Sequence, residues 1–422
     1  MYTSKKEARR NKEIRNEKMI NNINMEKKIF ETAEIGKIKL RNRIIRSATH
    51  EGLADEQGFP TDNLLKKYET LAKNEVGCII TGFTGVMQNG KSNTCNMLMI
   101  DNDSVIDSYK RITQKMHEYE TPIILQIAHC GRQTRSKITG LPTVAPSAIK
   151  SQSFTEETPK ELSELEIYEV IDNFVKAIER AKKAGFDGVQ LHLAHGFLLS
   201  SFLSSYSNRR TNKWGGTTEN KFRIVSEIFT RAKQQVGDFT ILVKLNAYDR
   251  RKGGMTLPES IEIAKMLEKV GCAAIEVSCG VHEDGLCTVR GQKLPIGAAF
   301  KYSFQYKNFP SFIKVIAKLI VPALTPKIKP YENYNVIAAV EIRKNVEIPV
   351  IVVGGIKSID SIENIISTGQ ADFIAMSRPF IIEPNIVRKF KEGTQQQTKC
   401  VECNYCLIAV EEKPLKCFNG KL

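Results

Sequence analysis

One pattern constrains this chain more than any other. Short apolar runs of strand length alternate with amphipathic stretches of helical period. The runs are 43–47 (RIIRS), 78–83 (CIITGF), 123–128 (IILQIA), 188–192 (GVQLH), 241–245 (ILVKL), 274–278 (AIEVS), 350–353 (VIVV) and 373–376 (FIAM). Between them lie helical patterns at 161–184, 219–236, 258–270 and 358–367. AKKAGFDGV and LEKVGCAAI each stop a helix at Gly and start a strand soon after. Alternation of this kind builds a parallel sheet covered by helices. The residues by themselves support five or six such units. No GxGxxG follows a strand, which argues against a dinucleotide-binding Rossmann domain.

A chain of 422 residues with 41% hydrophobic residues can bury a large core. No run of eighteen apolar residues appears, and no signal peptide is visible, so neither a membrane span nor a membrane partner is expected. Ten cysteines without a secretion signal predict a reducing compartment, the cytoplasm, with metal-bound or free thiols rather than disulfides. The formal charge of +15 is spread along helical faces without a nucleic-acid-binding motif. It is read as a solvated surface that attracts anionic cofactors or substrates, with no nucleic-acid partner. Residues 1–28 carry nine Lys/Arg against four Asp/Glu and almost no core-forming side chains, so they are expected to be a disordered basic extension. Residues 29–395 are read as the catalytic domain and 396–422 as a Cys-rich tail.

Two long interruptions, 129–160 and 279–334, read as loops, the second with aromatic and basic clusters. In a barrel, long strand-to-helix loops lie on the catalytic face and shape the substrate pocket.

The stretch GVQLHLAHGF (188–197) starts as a buried strand and breaks into two histidines and a glycine. It runs on into a segment rich in Ser, Asn, Gly and Arg. The whole of HLAHGFLLSSFLSSYSNRRTNKWGGTTEN (192–220) resembles the signature of the old yellow enzyme family of FMN-dependent ene-reductases. The resemblance implies a (β/α)8 TIM barrel and brings the strand–helix units to eight.

It also implies a flavin site. Gly354-Gly355 follows the seventh strand and Ser377-Arg378-Pro379 the eighth. Glycines let backbone N–H groups approach an anion, and Arg adds a fork of donors. The pair resembles the family's phosphate-binding GGI and GRP motifs, with Ser377 in place of a Gly. LRNRIIRSATHEG is similar to the family's first-strand motif, which places Ser47, Ala48, Thr49 and His50 at the flavin edge. By the same resemblance Gln126 holds the pyrimidine edge. Lys244, where relatives carry Arg, supplies positive charge beside the reduced ring.

His192 and His195 correspond to the pair that hydrogen-bonds the carbonyl oxygen of an unsaturated substrate. An HxxH metal site is the competing reading, but no third ligand follows at a suitable spacing. The chain departs from the family at Phe197, where a proton-donating Tyr is usual; water, Tyr206 or another residue would have to deliver the proton.

The tail carries Cys400, Cys403, Cys406 and Cys417, four thiols within eighteen residues. Such a set suits a [4Fe–4S] cluster or tetrahedral zinc. It resembles the cluster motif of the 2,4-dienoyl-CoA reductase and trimethylamine dehydrogenase branch, with two spacings changed by one residue. Those relatives continue into a nucleotide-binding module, and this chain stops at Leu422. Electrons are therefore expected from NAD(P)H directly or from a partner protein. The combined expectation is an FMN-dependent oxidoreductase that reduces activated C=C bonds of a small-molecule substrate. The alternatives are an amine dehydrogenase-like flavoprotein and a non-enzymatic flavin/Fe–S electron-transfer protein; homo-oligomerisation is left open.

Overall fold

The computed structural model describes residues 27–94, 96–151, 157–291, 295–324 and 328–418. Most of the expected basic extension, residues 1–26, lies outside the described residues. The described chain starts with a 3-10 turn, Lys28–Phe30. The backbone N–H groups of Lys28 and Ile29 donate to the Glu363 carboxylate and tie this start to the barrel.

Eight parallel strands close into a barrel: β1 (Ile44–Arg46), β2 (Cys78–Ile80), β3 (Ile123–Ala128), β4 (Gly188–Leu193), β5 (Thr240–Asn246), β6 (Ile275–Ser278), β7 (Val350–Val353) and β8 (Phe373–Met376). Each pairs with the next in sequence, and β8 pairs back to β1 through Ile374↔Ile44 and Met376↔Arg46. All eight expected strands are present, most within a residue of the expected bounds. Closure leaves the barrel's eight strands without an edge strand, and the connections are helical as a parallel sheet requires.

The helices used below are α1 (Asp62–Lys73), α2 (Ile106–His117), α3 (Glu164–Lys183), α4 (Thr218–Val236), α5 (Leu257–Lys269), α6 (Val336–Arg343) and α7 (Ile359–Ser367). Local chemistry fixes their starts. Ser163 with Glu166 opens α3, and Thr256 with Glu259 opens α5, each as a reciprocal capping box. α3 and α5 stop just before Gly185 and Gly271, as the sequence predicts. The helices bury one apolar face each against the outside of the barrel.

The barrel interior divides into two zones. An antiparallel hairpin, Ala33–Ile35 with Ile38–Leu40, plugs the end where the strands start. Its Ile35, Ile38 and Leu40 pack with Ile45, Ile124 and Leu242 from the strands. Toward the strand ends the inward positions turn polar, because side chains two apart on a strand share a face. Ile124 is followed inward by Gln126, and Leu242 by Lys244.

The long interruptions differ from expectation in one respect. Residues 129–160 are mostly loop, with a 3-10 turn, a four-residue helix and the short pairing of Val144–Ala145 with Lys160–Glu161. Residues 279–334 were expected to be loop, yet they contain a 3-10 segment (His282–Cys287) and two helices, Ile296–Tyr302 and Ser311–Leu324. Pro310 and Pro322 break up the pattern in the sequence. Pro310 nevertheless sits just before the second helix, where a missing N–H costs nothing.

The tail docks on the barrel. Leu415 donates its N–H to the Glu51 carbonyl, and Lys67 donates to the Leu415 carbonyl. Thr398 donates to the Lys357 carbonyl, and Ala409 and Phe418 pack with Ala298 and Tyr302 of the insertion. Among the described residues no helix is long and apolar enough to cross a membrane.

Candidate active site

Strand register gathers a line of buried polar side chains at the barrel mouth. Gln126 lies beside Gln190 in the β3–β4 register, and Lys244 lies between His192 and Glu276. Gln126 Nε2 donates to Gln190 Oε1 at 2.7 Å, and Gln190 Nε2 donates to Glu276 Oε2 at 2.8 Å. Glu276 Oε1 accepts from Ser47 Oγ at 2.5 Å and pairs with Lys244 Nζ at 3.0 Å. Lys244 Nζ also donates to Ser47 Oγ at 2.9 Å. Every group in this line is satisfied, as buried polar groups must be. The seam where the barrel closes is held by Ser47 N–H to the Met376 carbonyl, and by Thr49 Oγ1 against Ser377 Oγ at 2.7 Å. Ala48 packs against the barrel's inner cluster.

The histidine pair stands next to this line. His192 is on β4, and His195 follows it in a left-handed backbone conformation (φ +64°). That conformation is costly for a residue with a Cβ and marks a constrained site. His195 is pinned by its N–H to Asn246 Oδ1 and by Nε2 against Ser278 Oγ at 2.8 Å. The two rings meet edge to face with centroids 5.1 Å apart. Burial first, then the His195 ring and the Lys244 ammonium, holds the His192 imidazole well below its usual pKa. Burial and Lys244 do the same to His195. Both rings are therefore neutral near pH 7, and each offers one N–H. The Nδ1 of His192 is buried with no hydrogen-bond partner among the described residues, a group that a bound molecule could satisfy.

Phe197 sits where the expected proton donor would be. It packs edge-on to His192 (4.7 Å) and to His282 (5.4 Å), and it touches Phe83, on which His50 stacks at 5.0 Å. His282 is a third imidazole of the site, lowered to about 4 by burial. Tyr206, the tyrosine considered as a replacement donor, instead lies under the Arg132 guanidinium at 5.2 Å. Arg132 in turn makes a fully buried ion pair with Glu283 at 2.8 Å, which joins the two long interruptions.

The expected phosphate motif is split by the structure. Gly354 (φ +136°) and Gly355 (φ +71°) follow β7 and run under the segment 331–335. A Cβ on Gly355 would lie 2.1 Å from the Tyr331 carbonyl oxygen, so only glycine fits there. The Arg378 side chain does not join them. It donates to Asn404 Oδ1 at 2.7 Å and pairs with Glu402 at 3.6 Å, so its guanidinium faces the tail.

Cys400, Cys403, Cys406 and Cys417 line one cavity together with Arg378 and Glu402. The tail approaches it through two left-handed residues, Glu402 (φ +52°) and Asn404 (φ +57°). Burial pushes the Cys406 thiol up to about 12 and raises Cys400 as well. Among the described residues, however, no three His, Cys, Asp or Glu side chains are grouped closely enough to hold a metal ion. The expected ligand set thus shares a cavity without forming a ligand sphere.

Three partners in this site went unread in the sequence: Gln190, Glu276 and His282. Gln190 and Glu276 are polar residues inside otherwise apolar strands, GVQLHL and AIEVS, and that interruption was the available signal.

The family model described as NADH:flavin oxidoreductase / NADH oxidase matches residues 28–325 and 307–397. The chain belongs to this family. It is 36% identical over 379 residues to an NADH oxidase from Thermoanaerobacter brockii, covering 89% of this chain and 52% of that protein. It is 31% identical to an NADPH dehydrogenase from a Geobacillus strain, covering 85% of this chain and 92% of that one. Its fold superposes on an old yellow enzyme homologue from Zymomonas mobilis with a TM-score of 0.68 and 25% identity, over 89% of this chain and 95% of that one. The chain spans about half the length of the first two curated relatives it matches. The family match falls on the barrel and its insertions.

Proposed function

We propose that the chain is an FMN-dependent oxidoreductase that reduces the C=C bond of a small molecule conjugated to a carbonyl, with electrons from NAD(P)H. The observation that carries this reading is the convergence of Gln126, Lys244, His192 and His195 on one barrel mouth. The residues present suit a flavin: an amide, an ammonium and a hydroxyl would line its expected ring edge, and the backbone of the glycine pair would face its phosphate. Bound FMN would accept hydride from the nicotinamide and deliver it to the substrate. Ser47, Gln126 and Lys244 would hold its pyrimidine edge, and Gly354 and Gly355 its phosphate. Lys244 is paired with Glu276, so its charge acts as half of a dipole. His192 and His195, both neutral, would donate N–H groups to the substrate carbonyl and stabilise the negative charge that grows there. Phe197 keeps the mouth apolar and leaves proton delivery to solvent.

The same reading gives Cys400, Cys403, Cys406 and Cys417 a metal group, an iron–sulfur cluster or zinc. Their shared cavity supports this, and the ligand sphere would close on loading. No step above runs through it.

The test is anaerobic purification, a visible spectrum with iron and zinc assays, and NAD(P)H-dependent turnover of a cyclic enone. A flavin spectrum is expected, with His192→Ala and His195→Ala each lowering kcat by about 10²–10³-fold while flavin stays bound. Absence of flavin after reconstitution with FMN would overturn the reading.

A further inference from the structure

The insertion between β6 and α6 carries a helix, Ser311–Leu324, that is seated the wrong way round for a water-facing surface. Its apolar stripe recurs at i, i+3, i+4, i+7 and i+8: Phe312, Val315, Ile316, Leu319 and Ile320. That stripe points outward. Phe312 is 66% exposed, Val315 61% and Leu319 76%. The inward face is the one bearing Lys314, Ala317 and Val321, which are only partly exposed. Lys314 Nζ donates back to the Lys307 carbonyl at 2.6 Å and fixes this orientation. Phe309 and Tyr306 extend the apolar surface from the preceding turn. Scattered exposed apolar residues need no explanation, but a contiguous stripe of this kind marks a contact surface.

Charge identifies the contact. Between residues 285 and 331 the chain has eight Lys/Arg and no Asp or Glu. A second copy of this chain would bring an equally basic insertion against the first, so self-association works against charge. An anionic lipid surface satisfies both features. The stripe enters the boundary between headgroups and acyl chains, while Lys301, Lys318 and Lys329 on exposed positions meet the phosphates. We propose that this helix docks the barrel peripherally on a membrane containing anionic lipids. No span is involved: the helix lies in the interface plane.

The test uses the full chain with vesicles of pure phosphatidylcholine, and of phosphatidylcholine and phosphatidylglycerol at three to one. Co-sedimentation with the anionic vesicles should be about tenfold stronger than with the neutral ones, and high salt should weaken it. F312D/L319D should lower it by about tenfold or more. A second variant, F312W, reads insertion directly, because the single native Trp214 is wholly buried. Its emission should shift to the blue on anionic vesicles. Equal binding to both vesicle types, or no binding at all, would overturn the proposal. So would a dimer in solution that F312D/L319D dissociates, which would make the stripe a self-interface.

Discussion

The barrel mouth and the Cys-rich tail both take ionisable side chains out of water, but they hold them by different means. At the mouth the central polar groups come from strands, and the register of neighbouring strands sets their partners: Gln126 with Gln190, Lys244 with Glu276. In the tail Cys400, Cys403 and Cys417 come from irregular backbone and Cys406 from a five-residue helix, and the segment is held to the barrel through a few pins, chiefly Arg378 to Asn404 and Leu415 to Glu51. The line from Gln126 to Lys244 is thus satisfied within the protein, with His192 Nδ1 left over for a bound molecule, whereas the tail's thiols share a cavity without forming a ligand sphere. A rigid scaffold pre-pays the ordering of a site, and a docked segment leaves part of that cost to whatever it binds.

The sharpest way to break the mouth is to strand one charge. Lys244→Met leaves Glu276 buried without its cation, and the loss of stability should be about 3–5 kcal/mol. Urea unfolding measures it, and K244M/E276Q should recover most of the loss because both charges are then gone. A stable single variant would mean that the pair does not hold the mouth together.

Per pH unit, a smaller effect comes from acid. His129 and His192 are both buried and neutral, with His129 lowered to about 3 by burial. The unfolded chain takes up a proton on each near pH 6.5, and the folded chain does not. Stability is therefore full above about pH 6.5 and falls as pH drops toward the folded values. The slope is about 1.4 kcal/mol per pH unit for each histidine. Unfolding midpoints between pH 7 and 4.5 test this. His129→Asn, which keeps a polar partner for Asn89, should remove one proton's worth of slope.

The smallest effect should be in the tail. Arg378→Ala removes the bond to Asn404 and one partner of Glu402, while Lys357 still faces Glu402 at 3.5 Å. Local opening should become about tenfold more frequent, the equivalent of about 1.4 kcal/mol. Thiol labelling of Cys406 reads this without global unfolding. If flavin is lost instead, Arg378 serves the phosphate site after all.

Much of the fold was legible because strand length and helical period alternate along the chain, enough for five or six units from the residues and for eight with the family resemblance, and helix ends such as those before Gly185 and Gly271 are marked by glycine. The two histidines were legible because they interrupt an apolar run just where a strand ends. Other features depend on contacts between distant segments. Arg378 follows β8 as expected, but Asn404 and Glu402, some twenty-five residues on, decide where its side chain goes. Glu276 looked like one polar residue in a strand until closure brought Ser47, Gln190 and Lys244 to it. The helix at Ser311–Leu324 escaped because the aromatic and basic clusters around it read as loop, and its apolar stripe stays exposed among the described residues.

The buried pair of Arg132 and Glu283 carries a consequence for how such sites diversify. The two segments that overhang the mouth share one salt bridge, closed to water on both sides, with Gln133 and Ser151 also reaching Glu283. Neither overhang can be exchanged alone without leaving its counterpart's charge stranded. Grafts that aim to change what the mouth accepts would have to move both segments together, as a lock and its bolt are changed as a set.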